Sequence, residues 1–405
     1  MIKALFYSIE KYLNTFLLAV FGFILADKIS IDDYGLYSNS EAIAGILSIF
    51  ALSGLDQITQ RELVRKEFRK DEILYTSLII KILSIVIASF AIILILPDIY
   101  KNKELLLLVY IISISMFLKG FLFLSSYLIC DDEYKLYTYI GVMASLISFI
   151  IKIFVLYYFN SIYYIAICLS IEPVILILFY TRFIIKSCKL TLNISTKLLR
   201  LYWIEGRFLI FSGAMILVYT RVDQVMIGQL LSKEDLANYS LSLKVLTLFI
   251  IISTVFNLKF IPSLKKDCVR KYIVYKEMLV LTFLFSIILS IINYYMSPFI
   301  IEFFYQNKFS DAIEYIKYLT PIICLTFLLS TTGRILVTEN LAKIAFERNL
   351  CAFILNIILN LLLIRYLGVK GAIIASIVSY LTSSFIYLLL KKETRKIFRD
   401  ICNEL

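Results

Sequence analysis

The stretch Arg221–Leu230, RVDQVMIGQL, decides how this chain is read. It follows FLIFSGAMILVYT (208–220) and precedes LSKEDLANYSLSL (231–243), so an arginine and an aspartate interrupt a run otherwise apolar enough to enter a bilayer. A charge at the bilayer centre costs roughly 2.5–3.5 kcal/mol even on lenient insertion scales, and charges retained there are paired inside the protein or face a hydrated path. At about 100° per residue, Arg221 aligns with Ala214, Gln224 and Gly228, whereas Asp223 lies about 200° around the axis. A local salt bridge between the two is therefore not expected. Arg221 is expected to face a polar interior and Asp223 to be held by a neighbouring helix, near Lys244. The alternative is structural, with both residues pairing across helices to lock their bundle.

The rest of the chain supports a membrane reading. Of 405 residues, 61% are hydrophobic, the mean hydropathy is +0.88, and apolar runs of about 20 residues follow one another from end to end. No polar stretch is long enough for a soluble domain. The first run, LNTFLLAVFGFILA from Leu13, is expected to be a retained helix, because Ile24 stands where a signal cleavage site needs a small residue. The seven cysteines form no CxxC pair and histidine is absent, which removes the commonest metal ligand and the usual near-neutral acid–base group. There is no GxxxxGK[ST] loop for a nucleotide. No cofactor is expected.

Apolar segments of spanning length centre near Leu18, Leu47, Val86, Ile114, Phe149, Ile175, Leu217, Leu248, Ile287, Leu325, Leu359 and Ile377. The loops alternate in charge. QRELVRKEFRKDE (60–72), residues 182–207, SLKKDCVRKY (263–272) and KKETRKIFR (391–399) are basic; DKISIDDYG (27–35) and LSKEDLA (231–237) are not. Of 41 Lys and Arg, about 26 fall on the side holding both termini, about seven on the other and about eight within spans. Both termini are thereby expected in the cytoplasm. The formal net charge of +11 follows from topology and anionic headgroups, with no need of nucleic acid.

DYGLYS at Asp33 and DLANYS at Asp235 stand 202 residues apart and share three of six positions. A weaker echo pairs YYFNSIYYIAICLSI (157–171) with RYLGVKGAIIASIVSY (365–380). Two parallel repeats of six helices are expected, with a cleft between the bundles: an N-terminal lobe over 1–190, a cytoplasmic linker over 191–207 and a C-terminal lobe over 208–405. Within the joining segment, STKLLRLYWIEGRF (195–208) reads as an interfacial amphipathic helix.

RVDQVMIGQL with ANYSLSLKV (237–245), FIPSL (260–264) and NIILNLLLIRYLGVKGAIIASIVSY (356–380) resembles the polysaccharide exporters of the multidrug/oligosaccharidyl-lipid/polysaccharide superfamily, and within it the O-antigen flippases of the Wzx type. In the first half, DYGLYSNSEAI and LSGLDQ fit the same pattern. The resemblance implies an all-α, MATE-like integral membrane fold of about twelve helices in two six-helix lobes with a central cleft. It further implies alternating access and movement of undecaprenyl-pyrophosphate-linked oligosaccharide from the cytoplasmic to the periplasmic leaflet of a bacterial inner membrane, for O-antigen, capsule or a related glycan. Polysaccharide polymerase and chain-length machinery are the expected neighbours.

Cations within spans are Lys81, Lys119, Lys152, Arg221, Lys244, Lys259, Lys317 and Arg334; the last three lie near span ends, where long side chains snorkel. Lys81 shares a face with Ser77 and Ser84, Lys119 with Ser115 and Ser126, and Lys152 with Ser145 and Ser148. Lys81, Lys119, Lys152, Arg221 and Lys244 are the candidate substrate-binding residues, because several cations in a wet cleft can replace the hydration of a pyrophosphate. Glu172 and Asp223 are the candidate coupling or structural residues. Glu172 precedes Pro173, which is expected to kink the sixth span and free the carbonyl of Cys168; the carboxylate there either takes up H⁺ or Na⁺ or neutralises Lys152 or Lys119. Two rivals remain: a small-molecule or cation antiporter of the same fold, and a membrane enzyme such as an O-antigen polymerase, which would be expected to carry a large external polar loop.

Overall fold

The computed structural model describes residues 2–403 apart from 52, 66, 160, 188–192, 259–270 and 340, with backbone alone at 2–9, 11, 53, 54, 57, 205–210, 212, 254, 255, 257, 258, 342, 402 and 403. Lys259, FIPSL, Cys188 and Cys268 lie outside the described residues.

The described residues are helical, with no strand among them. The first half comprises α1 (Ile2–Lys28), α2 (Ile31–Leu47), α3 (Ser53–Arg65), α4 (Lys70–Ile99), α5 (Lys103–Lys119), α6 (Ser125–Cys130), α7 (Tyr134–Phe159), α8 (Ile162–Cys168) and α9 (Ile171–Ser187). The second comprises α10 (Thr196–Tyr219), α11 (Val222–Leu230), α12 (Lys233–Leu258), α13 (Lys271–Tyr305), α14 (Ser310–Leu319), α15 (Pro321–Thr338), α16 (Ala342–Leu367), α17 (Val369–Leu381), α18 (Tyr387–Leu390) and α19 (Lys392–Asn403). Several short helices follow one another closely in the chain, in the pairs α2 and α3, α5 and α6, α8 and α9, α10 and α11, α14 and α15, and α17 and α18. With α1, α4, α7, α12, α13 and α16 this accounts for each span expected from the sequence, and α19 follows as a tail helix.

Nine ranges among the described residues are long and apolar enough to cross a membrane. One of them, Lys271–Leu319, reverses direction: Gln306 has φ 52°, and α14 and α15 pack back on α13. Helix α1 and the segments α2–α3 and α10–α11 are not among the nine. Two of these carry the charges of LSGLDQ and RVDQ.

Helix starts follow local chemistry. At α2, Ser30 Oγ accepts from Asp33 N at 3.1 Å and donates to Asp33 Oδ2 at 2.7 Å. At α12, Ser232 Oγ accepts from Asp235 N at 3.0 Å and donates to Asp235 Oδ2 at 2.7 Å. The same reciprocal cap thus recurs at the 202-residue offset, each satisfying an amide that the helix leaves unpaired. The second site of close repetition is steric. A Cβ added to Gly35, in the first turn and a half of α2, would stand 2.2 Å from the Lys233 carbonyl oxygen, so only glycine lets the α2 backbone approach the start of α12.

By packing, the chain divides into two units. The first holds Ile2–Phe21 and Leu36–Arg221; the second holds Gly22–Gly35 and Val222–Leu405. The division at Arg221–Val222 differs from the join drawn at 191–207 from loop charge. The reason is that α10 packs on α3: Leu198 and Tyr202 are buried with Leu55, Ile58, Ile73, Phe123 and Tyr127, and the Tyr202 hydroxyl lies 2.8 Å from Ser77 Oγ and 3.2 Å from Thr59 Oγ1. Charge pattern locates a loop but not the partner of the helix after it. Residues 22–35, in turn, pack with the second unit although they belong to the first half of the sequence.

Side-chain distribution is that of a protein in lipid. On α4, Ile82, Leu83, Val86, Ile87, Phe90, Ile93 and Leu94 are exposed, whereas Thr76, Ser77, Lys81 and Ala88 are buried. Small and hydroxyl residues let helices approach closely, and acyl chains take the large apolar ones. In the second unit, α19 seals its apolar face on α13, α15 and α16 through Ile397, Phe398 and Ile401, which meet Tyr275, Ile335, Leu336 and Ile344. Lys391 anchors it to Glu347 at 2.5 Å.

Candidate functional site

The polar centre of the first unit is built by α1, α7 and α9. Glu172, in the first turn of α9, is 4% exposed. It accepts from Ser145 Oγ at 3.2 Å and from Asn14 Nδ2. Lys152, two turns beyond Ser145 on α7, is 3% exposed. It lies within electrostatic reach of Glu172, Lys119 and Glu41, and its Nζ stands 6.0 Å from the centre of the Phe21 ring. Between them Ser148 is fully buried, and its hydroxyl has no hydrogen-bond partner among the described residues. Of the predicted site residues, the fold thus brings together Lys119, Lys152 and Glu172.

The break before Glu172 has a different acceptor from the one expected. A proline at 173 lacks the N–H that would bond four residues back, to Leu169, so the freed carbonyl is that of Leu169 and not of Cys168. Ser115 Oγ donates to it at 2.9 Å. Ser115 of α5 is therefore engaged in holding the α8–α9 break.

Lys81 is placed differently from Lys152, although the two share a sequence signature. Its side chain is fully buried, with the ammonium paired to Asp56 of α3, donating to the Gly120 carbonyl at 2.6 Å and lying 5.2 Å from the Phe123 ring centre. Of the serines that share its face, Ser77 bonds Thr59 and Tyr202, and Ser84 donates to the Phe50 carbonyl at 2.6 Å. This constellation ties α4 to α3 and to the turn after α5.

Arg221 lies in the turn between α10 and α11 and Asp223 in the first turn of α11, so the single-helix wheel does not describe them. Arg221 closes α10, its N–H donating to the Val218 carbonyl at 3.0 Å. Its side chain lies over Gly45, where an added Cβ would stand 3.7 Å from Nε. Asp223 opens α11 in the second unit and is 4% exposed. Its carboxylate accepts from the Tyr239 hydroxyl of α12, from Ser376 Oγ of α17 at 3.3 Å and from the Gln224 amide at 2.8 Å. Lys244 has its Nζ 5.1 Å from the Tyr34 ring centre and its stem against Gly22.

Four contributors were not singled out from the sequence as site residues. Asn14 and Tyr239 each supply the donor to a buried carboxylate, and each looks like ordinary membrane sequence. Lys308 donates to the Ala26, Asp27 and Ile29 carbonyls at 2.6, 2.9 and 2.6 Å, capping the end of α1, while Tyr305 donates to the Phe23 carbonyl at 2.9 Å. An ammonium at a helix C-terminus meets both unpaired carbonyls and the negative end of the dipole.

The multi-pass helical chain, with charged side chains buried inside each packing unit, has the fold of the MOP superfamily structures it matches. An inward-facing multidrug-resistance MATE family transporter of the MOP superfamily superposes with a TM-score of 0.70 at 12% identity, over 95% of this chain and 96% of the other. The lipid II flippase MurJ, in an inward closed conformation, gives 0.68 at 20% identity, over 98% and 90%. A MOP superfamily transporter from Pyrococcus furiosus gives 0.61 at 12% identity, over 98% and 96%. A family model described as Polysaccharide biosynthesis protein matches residues 24–314, and the chain belongs to that family. No curated protein matches the sequence.

Proposed function

We propose that this chain is a flippase for undecaprenyl-pyrophosphate-linked repeat units of O-antigen or a similar polysaccharide, working by alternating access in a bacterial inner membrane with both termini in the cytoplasm. Family membership supports the polysaccharide part of this reading. The observation that carries the transport part is the ionic centre of buried Lys152 and Glu172, with half-buried Lys119, inside membrane-spanning helices. Ionisable groups at such depth are costly and mark pathways for charged cargo or coupling ions.

In this reading Lys152, Lys119, Arg221 and Lys244 meet the pyrophosphate in turn, with ammonium and guanidinium donors replacing its water. Lys81 is assigned a structural role, since Asp56 and the Gly120 carbonyl already occupy its ammonium. Glu172 and Asp223 are the candidates for taking up H⁺ or Na⁺. Their burial also supports a second reading, a small-molecule or cation antiporter, in which these carboxylates bind the cargo. The lipid-linked cargo is preferred because polysaccharide synthesis is the property of the family.

The test is genetic and chemical together. In a deletion strain complemented with Lys152→Gln or Arg221→Gln, surface polysaccharide should be lost while the protein remains in the membrane. Full export by a variant lacking Lys119, Lys152 and Arg221 would refute the binding role. Drug or cation movement that collapses with the ion gradient would favour the antiporter.

A further inference from the structure

Trp203 is the one tryptophan of the chain, and it is 77% exposed on α10. Around it, on the same side of the helix, Leu199, Ile204, Lys197 and Arg200 are exposed too, whereas Leu198 and Tyr202 on the opposite side are buried against α3 and α4. At about 100° per residue the five exposed side chains fill one arc of about 160° and the two buried ones lie opposite. The early turns of α10 are therefore fastened on one face and leave a mixed apolar and cationic face open. The helix then continues into the apolar sequence that starts at Phe208, which sets Trp203 about one turn from the start of hydrocarbon-compatible chain.

We infer that this face, formed by Lys197, Leu199, Arg200, Trp203 and Ile204, docks on the anionic headgroup layer of the surrounding bilayer. Tryptophan, with an apolar ring and a polar N–H, settles at the membrane–water boundary. Leucine and isoleucine on the same arc reach the upper acyl region, and the two cations, spaced three residues apart with Arg200 near the middle of the arc and Lys197 at its edge, meet lipid phosphates. Charge complementarity selects the occupant: among the described side chains the face carries two cations and no exposed carboxylate, so anionic phospholipid binds it in preference to zwitterionic lipid. The docking fixes the height of α10 in the membrane, and with it the turn at Thr220–Arg221 at the helix's other end. The inference rests on the membrane location of the chain and is independent of what it carries.

Because Trp203 has no competitor, intrinsic fluorescence of the full-length protein reports on this face alone. The purified protein is reconstituted in vesicles of phosphatidylcholine, with and without phosphatidylglycerol, and quenched by aqueous acrylamide and by lipids labelled at shallow or deep positions. With phosphatidylglycerol present, acrylamide quenching should fall by about threefold and shallow labels should quench more than deep ones. Lys197→Gln/Arg200→Gln should remove the difference between the two lipid mixtures, and Lys197→Arg/Arg200→Lys should keep it. Equal shielding in both mixtures, or a difference that survives the double glutamine variant, overturns the inference. So does shielding that depends on protein density instead of lipid charge, which would indicate a second copy on this face. Size-exclusion elution of each variant in detergent identifies any that fails to fold.

Discussion

Ser145 Oγ lies 3.2 Å from Glu172 Oε1, so the serine stripe of α7 that ends at Lys152 faces the proline-broken start of α9. The carboxylate and the ammonium are both shielded from solvent in the same unit. Removing either partner leaves the other as a buried charge with less compensation. The two interact electrostatically without a direct salt-bridge contact, so losing one costs less than the about 3–5 kcal/mol of a contacting buried pair, and removing both costs less still. Glu172→Gln and Lys152→Met should each lower thermal stability in detergent, and the double variant should recover part of the loss. Neither the singles nor the double should restore polysaccharide export. Export by the stable double variant would assign the pair to packing alone.

The Lys81–Asp56 pair is predicted to behave in the opposite way with respect to function. Lys81→Met leaves the half-exposed Asp56 able to reach water but removes the tie to the Gly120 carbonyl; a loss of about 1–3 kcal/mol is expected. In Lys81→Met/Asp56→Asn, membrane protein levels should approach wild type and export should follow those levels. A normal amount of protein with no export would return Lys81 to the transport path.

Two glycines give a steric contrast. Gly35→Ala drives a Cβ into the Lys233 carbonyl, a backbone atom that cannot move aside cheaply, and should sharply reduce the yield of folded protein. Gly213 has no atom within 4 Å of an added Cβ. Gly213→Ala should be neutral or stabilising by up to about 1 kcal/mol, the helix-propensity difference. Melting temperatures of the two variants check the pair.

Lys308→Ala removes the donor to three carbonyls at the end of α1. A stability loss of about 1–3 kcal/mol is expected, combining cap and dipole terms. Lys308→Arg should restore part of it by keeping the charge. Thermal unfolding of both variants in detergent, with equal losses for Ala and Arg, would show that charge at this cap is irrelevant.

Spans and repeats were legible in the sequence because both rest on local pattern. Each expected span centre falls within a helix, and the offset between DYGLYS and DLANYS reappears as two capping boxes with matching geometry. Partner identity was not legible. Lys81 and Lys152 both sit on serine stripes, yet Asp56, contributed by another helix, makes one of them a lock. A helical wheel drawn through Arg221 and Asp223 assumed a continuity that the turn at Thr220–Arg221 breaks. Likewise Tyr239 and Ser376, which hold Asp223, come from two other helices, and no spacing along α11 announces them.

The most direct measurement is the leaflet distribution of lipid-linked repeat units in cells depleted of the protein and complemented with wild type or Lys152→Gln. The account predicts that the intermediates build up facing the cytoplasm in depleted and Lys152→Gln cells and clear with wild type. Normal appearance of the repeat units at the outer leaflet without the protein, or with Lys152→Gln, would contradict it.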